Sequence, residues 1–258
     1  MPTAAGLHYF LHEGGGLPRP ALVLIHGAGG DHLFWPPEVR RLPGYRVITL
    51  DLPGHGKTKG PGRQSIEDYA RDVKEFVDSS GLSQAVFVGH AMGGAIALTL
   101  ALDAPDLVAG MVLISTGACL PIPTSVIENA SNQSTLLLAI KKLQEMSFGS
   151  QTSENLKDIN FKRLTDTRQP LLLGDLLACD RFNLAGRLGA IQSPVLVVCG
   201  TEDKLTPLRF SEVLSNQIPG AALQTAEGAD HMLILEQPGR LAKLISVFLA
   251  TIPYSPGT

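Results

Sequence analysis

The chain has 258 residues, 44% of them apolar and 17% charged, with a net charge of −3. That length fits one large domain, or a domain carrying an insertion, and the composition excludes a disordered chain. Charges of both signs are scattered along the sequence, so there is no footprint for nucleic acid or an acidic membrane surface.

Near the N-terminus, Gly14-Gly15-Gly16 separates two strand-like segments and is expected to mark a hairpin. Apolar runs rich in β-branched residues follow at 21–25, 46–50, 85–88, 111–114 and 195–198, most of them followed closely by Gly or Asp. Continuous rather than alternating runs predict strands covered on both faces, as in a parallel sheet. Between them, residues 65–78 carry a helical stripe of Ile66, Tyr69, Ala70, Val73, Phe76 and Val77, with Ser65 as N-cap and Glu67 and Asp68 in the first turn. Residues 92–104 are apolar on nearly all sides and predict a helix buried against the sheet. From about 121 to 188 the strand pattern stops. Three helical patterns replace it: Leu136, Leu137, Ile140 and Leu143; Leu156, Ile159 and Leu164; Leu171, Leu172, Leu173, Leu176 and Leu177. Thr206-Pro207 then predicts an N-cap followed by Pro at the first helical position, and 239–250 a final amphipathic helix. The reading is an α/β core of residues 1–120 and 189–258, interrupted by a helical cap at 121–188.

The segment richest in chemistry is Val86-Phe87-Val88-Gly89-His90-Ala91-Met92-Gly93-Gly94. A strand ends, a tight turn follows and a buried helix begins. Gly89 and Gly93 flank residue 91 with the spacing of the G-x-S-x-G elbow, which presents its central side chain on a strained backbone. Only that central residue departs. Alanine has no lone pair with which to attack a carbonyl.

On these residues the chain resembles the α/β-hydrolase family, in particular single-domain esterases and lipases with a helical cap. The resemblance implies the α/β-hydrolase fold, a mostly parallel central sheet flanked by helices, with the cap as an insertion. It places the nucleophile at Ala91, where Ser is expected. His26-Gly27-Ala28-Gly29-Gly30 looks like the family's oxyanion loop, which implies the N–H groups of Ala28 and Met92 as donors to the developing oxyanion. Asp203, after the run at 195–198, matches the acid, and His231, in Gly228-Ala229-Asp230-His231-Met232, matches the general base. The order Ala91, Asp203, His231 is the order nucleophile, acid, base. The acid would orient the imidazole, and the imidazole would take the nucleophile's proton.

The resemblance implies a serine-type carboxylic ester hydrolase working through an acyl-enzyme. Its partner would be a small ester or lactone, with lactonase or thioesterase action on the same fold as alternatives. The favoured reading of Ala91 is a Ser-to-Ala variant, inactivated but still binding substrate. A natural, catalytically silent ligand-binding protein or receptor is the alternative of another class. Dehalogenase-like or epoxide-hydrolase-like chemistry needs a carboxylate at the elbow, which Ala91 does not supply. Gly27, His90 and Trp35 are candidate substrate contacts, although a lone Trp is more often core or cap contact. The cap leucines are expected to pack on the core and to line an apolar pocket. Of the remaining histidines, His26 is expected to support the oxyanion loop and His55 to be structural. His8, His12 and His32 are expected at the surface or in exposed loop. No metal and no cofactor is implied. Cys119, Cys179 and Cys199 lack metal-ligand spacing and imply no disulfide framework, and Cys199 reads as a buried thiol. Residues 1–11 lack a signal-peptide pattern, and no apolar stretch is long enough for stable membrane insertion. The cysteines suit a cytoplasmic location.

Overall fold

The computed structural model describes residues 2–15, 19–149 and 151–253. Its strands are β1 (Thr3–Ala4), β2 (Leu7–Glu13), β3 (Ala21–Ile25), β4 (Arg46–Leu50), β5 (Ala85–His90), β6 (Val108–Ile114), β7 (Val195–Gly200) and β8 (Ala222–Ala226). They form one sheet in the order β1-β2-β4-β3-β5-β6-β7-β8, with β4 through β8 parallel and β1 and β2 joined antiparallel at one edge. The helices are α1 (Pro37–Arg40), α2 (Ile66–Ser79), α3 (Met92–Asp103), α4 (Thr124–Ala130), α5 (Leu136–Ser147), α6 (Glu154–Asp166), α7 (Gln169–Arg181), α8 (Leu208–Gln217), α9 (Leu233–Glu236) and α10 (Pro238–Leu249).

The continuous apolar runs are explained by helices on both faces. Val23, Ile25, Phe87 and Val197 face the side packed by α2 and α3, while Leu22, Leu24, Val88 and Val198 face the side packed by α10. The stripe on α2 is buried as its periodicity requires, and Ser65 caps it by accepting the Asp68 N–H. Helices α4–α7 fill the stretch between β6 and β7 and share an apolar cluster that includes Ile140, Leu143, Leu164, Leu172 and Leu176. Among the described residues, no helix is long and apolar enough to cross a membrane.

Three expectations need correction. The Gly14-Gly15 segment joins no hairpin, because β4 lies between β2 and β3; the tight turn lies instead at Ala5-Gly6, and Gly16 falls outside the described residues. Thr206 is not the cap of α8, which starts at Leu208 after Pro207; its side chain turns to Asp203 instead. Helix α4 was not visible as an apolar stripe, since only Val126 and Ala130 of its residues are buried.

The parallel order has one consequence for the site. The chain leaves β3, β5, β7 and β8 at the same end of the sheet, where ligands bind in open α/β sheets. Residues 26–30, 91, 203 and 231 all lie just beyond those strand ends.

Candidate active site

Residue 91 sits in a tight turn with a positive φ. Ala91 has φ 47° and ψ −112°, between the end of β5 and the first residue of α3. A positive φ on a residue with a Cβ costs on the order of 1–3 kcal/mol and persists only where its surroundings hold it. Here the Ala91 N–H donates to Ile114 O at 2.9 Å, and its carbonyl accepts from the Thr116 hydroxyl at 2.8 Å and the Gly94 N–H at 2.9 Å. The flanking glycines are required by contact. A Cβ on Gly89 would strike the Gly93 carbonyl, and one on Gly93 would strike the carbonyl of Ile25.

The loop after β3 is tied down from below. His26 Nε2 accepts the Leu52 N–H at 3.2 Å, so Nδ1 carries the proton and donates to Gly27 O at 2.8 Å. Burial, reinforced by the neighbouring His55, pushes the His26 pKa down to about 4, consistent with that neutral ring. The Gly30 N–H also donates to Gly27 O, at 3.1 Å. Among the described residues no protein acceptor takes the Ala28 N–H, and Met92, as the first residue of α3, has an N–H with no acceptor inside the helix. Both residues line the same cavity.

The acid and base candidates meet from two loops. His231 Nδ1 lies 3.1 Å from Asp203 Oδ2 and 3.2 Å from Oδ1. The loops approach closely because Gly200 has no Cβ to strike the Ala229 carbonyl. Asp203 also accepts the N–H groups of Leu205, at 3.0 Å, and Thr206, at 2.8 Å, and the Thr206 hydroxyl at 2.8 Å. Burial pushes the Asp203 carboxyl up, but the charge and hydrogen bond of His231 and the donors of Thr206 outweigh it, so the pKa lies below the usual carboxylate value.

His90 supports His231 from behind. Its Nε2 donates to the carbonyl of His231 at 3.0 Å, and the two rings stand 4.9 Å apart. Burial, then the proximity of His231, lowers its pKa to about 3, so the ring is neutral. Its Nδ1 is buried beside Gly27 with no hydrogen-bond partner.

These groups face a cavity of about 90 Å³. Gly27, Ala28, His90, Ala91, Met92 and His231 form its floor, and Leu143, Leu164, Leu172 and Leu176 of the insertion close it from above. Trp35 does not line it. The indole is fully buried on the α10 side of the sheet with Val39 and Leu42, which corrects its reading as a substrate contact. Phe34, one residue earlier, lines the cavity instead, and Thr206 and Ser147 add two hydroxyls. The signal for Thr206 was present as the spacing Asp203-x-x-Thr206, an acid that hydrogen-bonds its own downstream backbone. Ser147 had no such signal.

His8 and His32 are buried, not exposed. Their Nδ1 atoms lie 2.6 Å and 2.9 Å from the carboxylate of Asp51, which also accepts the N–H groups of His32 and Lys57. These three side chains are the one group among the described residues spaced to hold a metal ion. His55 is buried and paired at 2.8 Å with the buried Asp175 of α7. Cys199 is a buried thiol, its pKa raised by burial to about 11.

The profile of the alpha/beta hydrolase fold family matches residues 20–238. The chain belongs to this family. A protein from Agrobacterium fabrum named "Putative carbamate hydrolase RutD" is 28% identical over 244 residues, covering 90% of this chain and 94% of its own. A solved structure described as a thermophilic esterase superposes with a TM-score of 0.82 at 29% identity, covering 96% of this chain and all of the other. A second, Est816, described as an N-acyl homoserine lactone degrading enzyme, has a TM-score of 0.82 at 27% identity, covering 94% and 96%.

Proposed function

We propose that this protein is a hydrolase of small, apolar acyl compounds of the ester class (esters, lactones and carbamates), in which His231 activates water directly. The single observation that carries the reading is the Asp203–His231 pair sharing a cavity with the two unclaimed N–H groups while residue 91 offers no hydroxyl. Asp203 holds the Nδ1 proton of His231, leaving Nε2 free to accept one. Water beside Ala91 gives a proton to Nε2 as its oxygen attacks the carbonyl carbon. The carbonyl oxygen takes the negative charge and is met by the N–H groups of Ala28 and Met92, which are in place before reaction. The imidazolium then returns its proton to the leaving oxygen or nitrogen, and the acid and the alcohol or amine depart. No acyl-enzyme forms.

The size of the cavity sets the substrate class. A volume near 90 Å³ is several times the ~10–15 Å³ that admits a single water, and favours a short acyl or small ring. The carbamate, esterase and lactone-degrading activities in the names of the relatives support this class.

The strained φ kept at Ala91 favours a second reading, a serine-type acyl-enzyme site silenced at its nucleophile, which binds substrate without turnover. One experiment separates the two: short-chain aryl esters and carbamates are offered to the chain as it stands and to Ala91→Ser. The first reading expects hydrolysis by both. The second expects it from the serine variant alone.

A further inference from the structure

We propose that Asp175, on α7 of the insertion, is a positioning residue for the oxyanion loop: its carboxylate holds Gly29 and thereby fixes the peptide that follows the Ala28 donor. Asp175 is fully buried and, among the described residues, pairs with no lysine or arginine. Its Oδ2 accepts the Gly29 N–H at 2.8 Å and faces His55 Nε2 at 2.8 Å, while its Oδ1 accepts the Tyr69 hydroxyl at 2.6 Å.

Gly29 is held by the insertion at both of its polar groups. Its N–H goes to Asp175, and its carbonyl, at 3.3 Å, shares the Thr167 hydroxyl with the Arg163 carbonyl at 3.1 Å. It has φ +65°, and a Cβ there would press on Leu164 and Leu172 of the insertion. The peptide before Ala28 is fixed separately, since Gly27 O accepts from His26 and Gly30. The donor is thus clamped from the core on one side and from the insertion on the other. Burial works against charge on His55, but the adjacent Asp175 overcomes it and raises that pKa, so the carboxylate is compensated by a histidine. A buried pair of this kind carries a desolvation penalty, and apolar contacts dock a helix without it. The donor at Gly29 supplies the reason for it. Packing of the insertion and order in the oxyanion hole become one event.

The catalytic meaning rests on the proposed hydrolysis, but the structural test does not. Amide hydrogen exchange is compared between the parent protein, Asp175→Asn and Tyr69→Phe. In Asp175→Asn, exchange across residues 26–31 is expected to rise by about tenfold or more while the central strands stay protected. Tyr69→Phe removes the bond to the other carboxylate oxygen and the acceptor of the Arg63 N–H, neither of which touches Gly29, and is expected to leave 26–31 within about threefold of the parent. Where hydrolysis is measurable, Asp175→Asn is expected to lower kcat by about tenfold, a fraction of the cost of losing a hole donor outright, with KM little changed. Unchanged exchange at 26–31, or a rise matched in the central strands, overturns the proposal. If Asp175→Asn does not fold, His55→Gln carries the test, with faster exchange at 26–31 expected and no change there contradicting it. Absence of hydrolysis by the parent would sink the proposed function and leave the exchange result to judge Asp175.

Discussion

His231 Nδ1 and Asp203 Oδ2 stand 3.1 Å apart, across 28 positions of chain, because parallel strands β7 and β8 deliver their following loops to the same end of the sheet. That pair fixes which imidazole nitrogen faces the cavity. Asp203→Asn keeps the shape and removes the charge, so the imidazole is free to adopt the unproductive tautomer. Hydrolysis should fall by about 10²-fold, no further than in His231→Gln, while the near-UV circular dichroism is unchanged. Loss of less than tenfold would mean that the pair does not orient a base.

The same carboxyl links stability to pH. The folded-state pKa of Asp203 is depressed, because the pull of His231 and Thr206 exceeds the effect of burial. Its contribution is therefore fully present above the unfolded value of about 3.9, and is lost as pH falls through the lower folded value. Urea midpoints measured from pH 6 downward should decline more steeply in the parent than in Asp203→Asn over that acid range. Parallel curves would contradict the assignment.

Restoring a hydroxyl at the elbow should add covalent chemistry. Ala91→Ser keeps the backbone that Ile114, Thr116 and Gly94 hold, and supplies an attacking oxygen. A fluorophosphonate probe should label that variant and leave the parent unlabelled. Equal labelling of both would place the reactive group elsewhere.

The elbow glycines are steric requirements. Gly93→Ala would drive a methyl into the carbonyl of Ile25, and no flexible side chain is there to move. The expected cost is about 3 kcal/mol or more, read as a loss of soluble, cooperatively melting protein. A melting temperature close to the parent's would show that α3 can shift, and the close approach of α3 to β3 would then not be obligatory.

Cavity size should set chain-length preference. Leu176 is buried in the insertion's cluster and faces the cavity. Leu176→Ala should destabilise the protein by about 2–5 kcal/mol and shift the preferred acyl chain to longer esters. An unaltered preference across an acetate-to-octanoate series would place the acyl group outside this cavity.

Much of this arrangement is legible in the sequence because it is carried by short-range signals. The buried strands announce themselves as apolar runs, and the elbow by Gly89 and Gly93 around a strand-to-helix switch. Features that depend on distant pairing were not. The edge strand β8 alternates exposed and half-buried residues rather than forming an apolar run. His8 and His32 read as surface residues because their partner, Asp51, lies 43 and 19 positions away. Trp35 stands close in sequence to the loop at 26–30, but its direction is set by which face of the sheet the short helix after that loop packs against. Asp175 sits in a leucine-rich helix, and nothing local marks it as the acceptor for Gly29, 146 positions earlier.

The most direct test of His231-activated water is the turnover of 4-nitrophenyl acetate and a 4-nitrophenyl carbamate by the unaltered chain, beside His231→Gln, with the intact mass of the protein recorded during turnover. The account predicts hydrolysis above buffer that falls by about 10²-fold or more in His231→Gln, and no added acyl mass at any time. Turnover no faster than buffer, or equal in the two proteins, would contradict it.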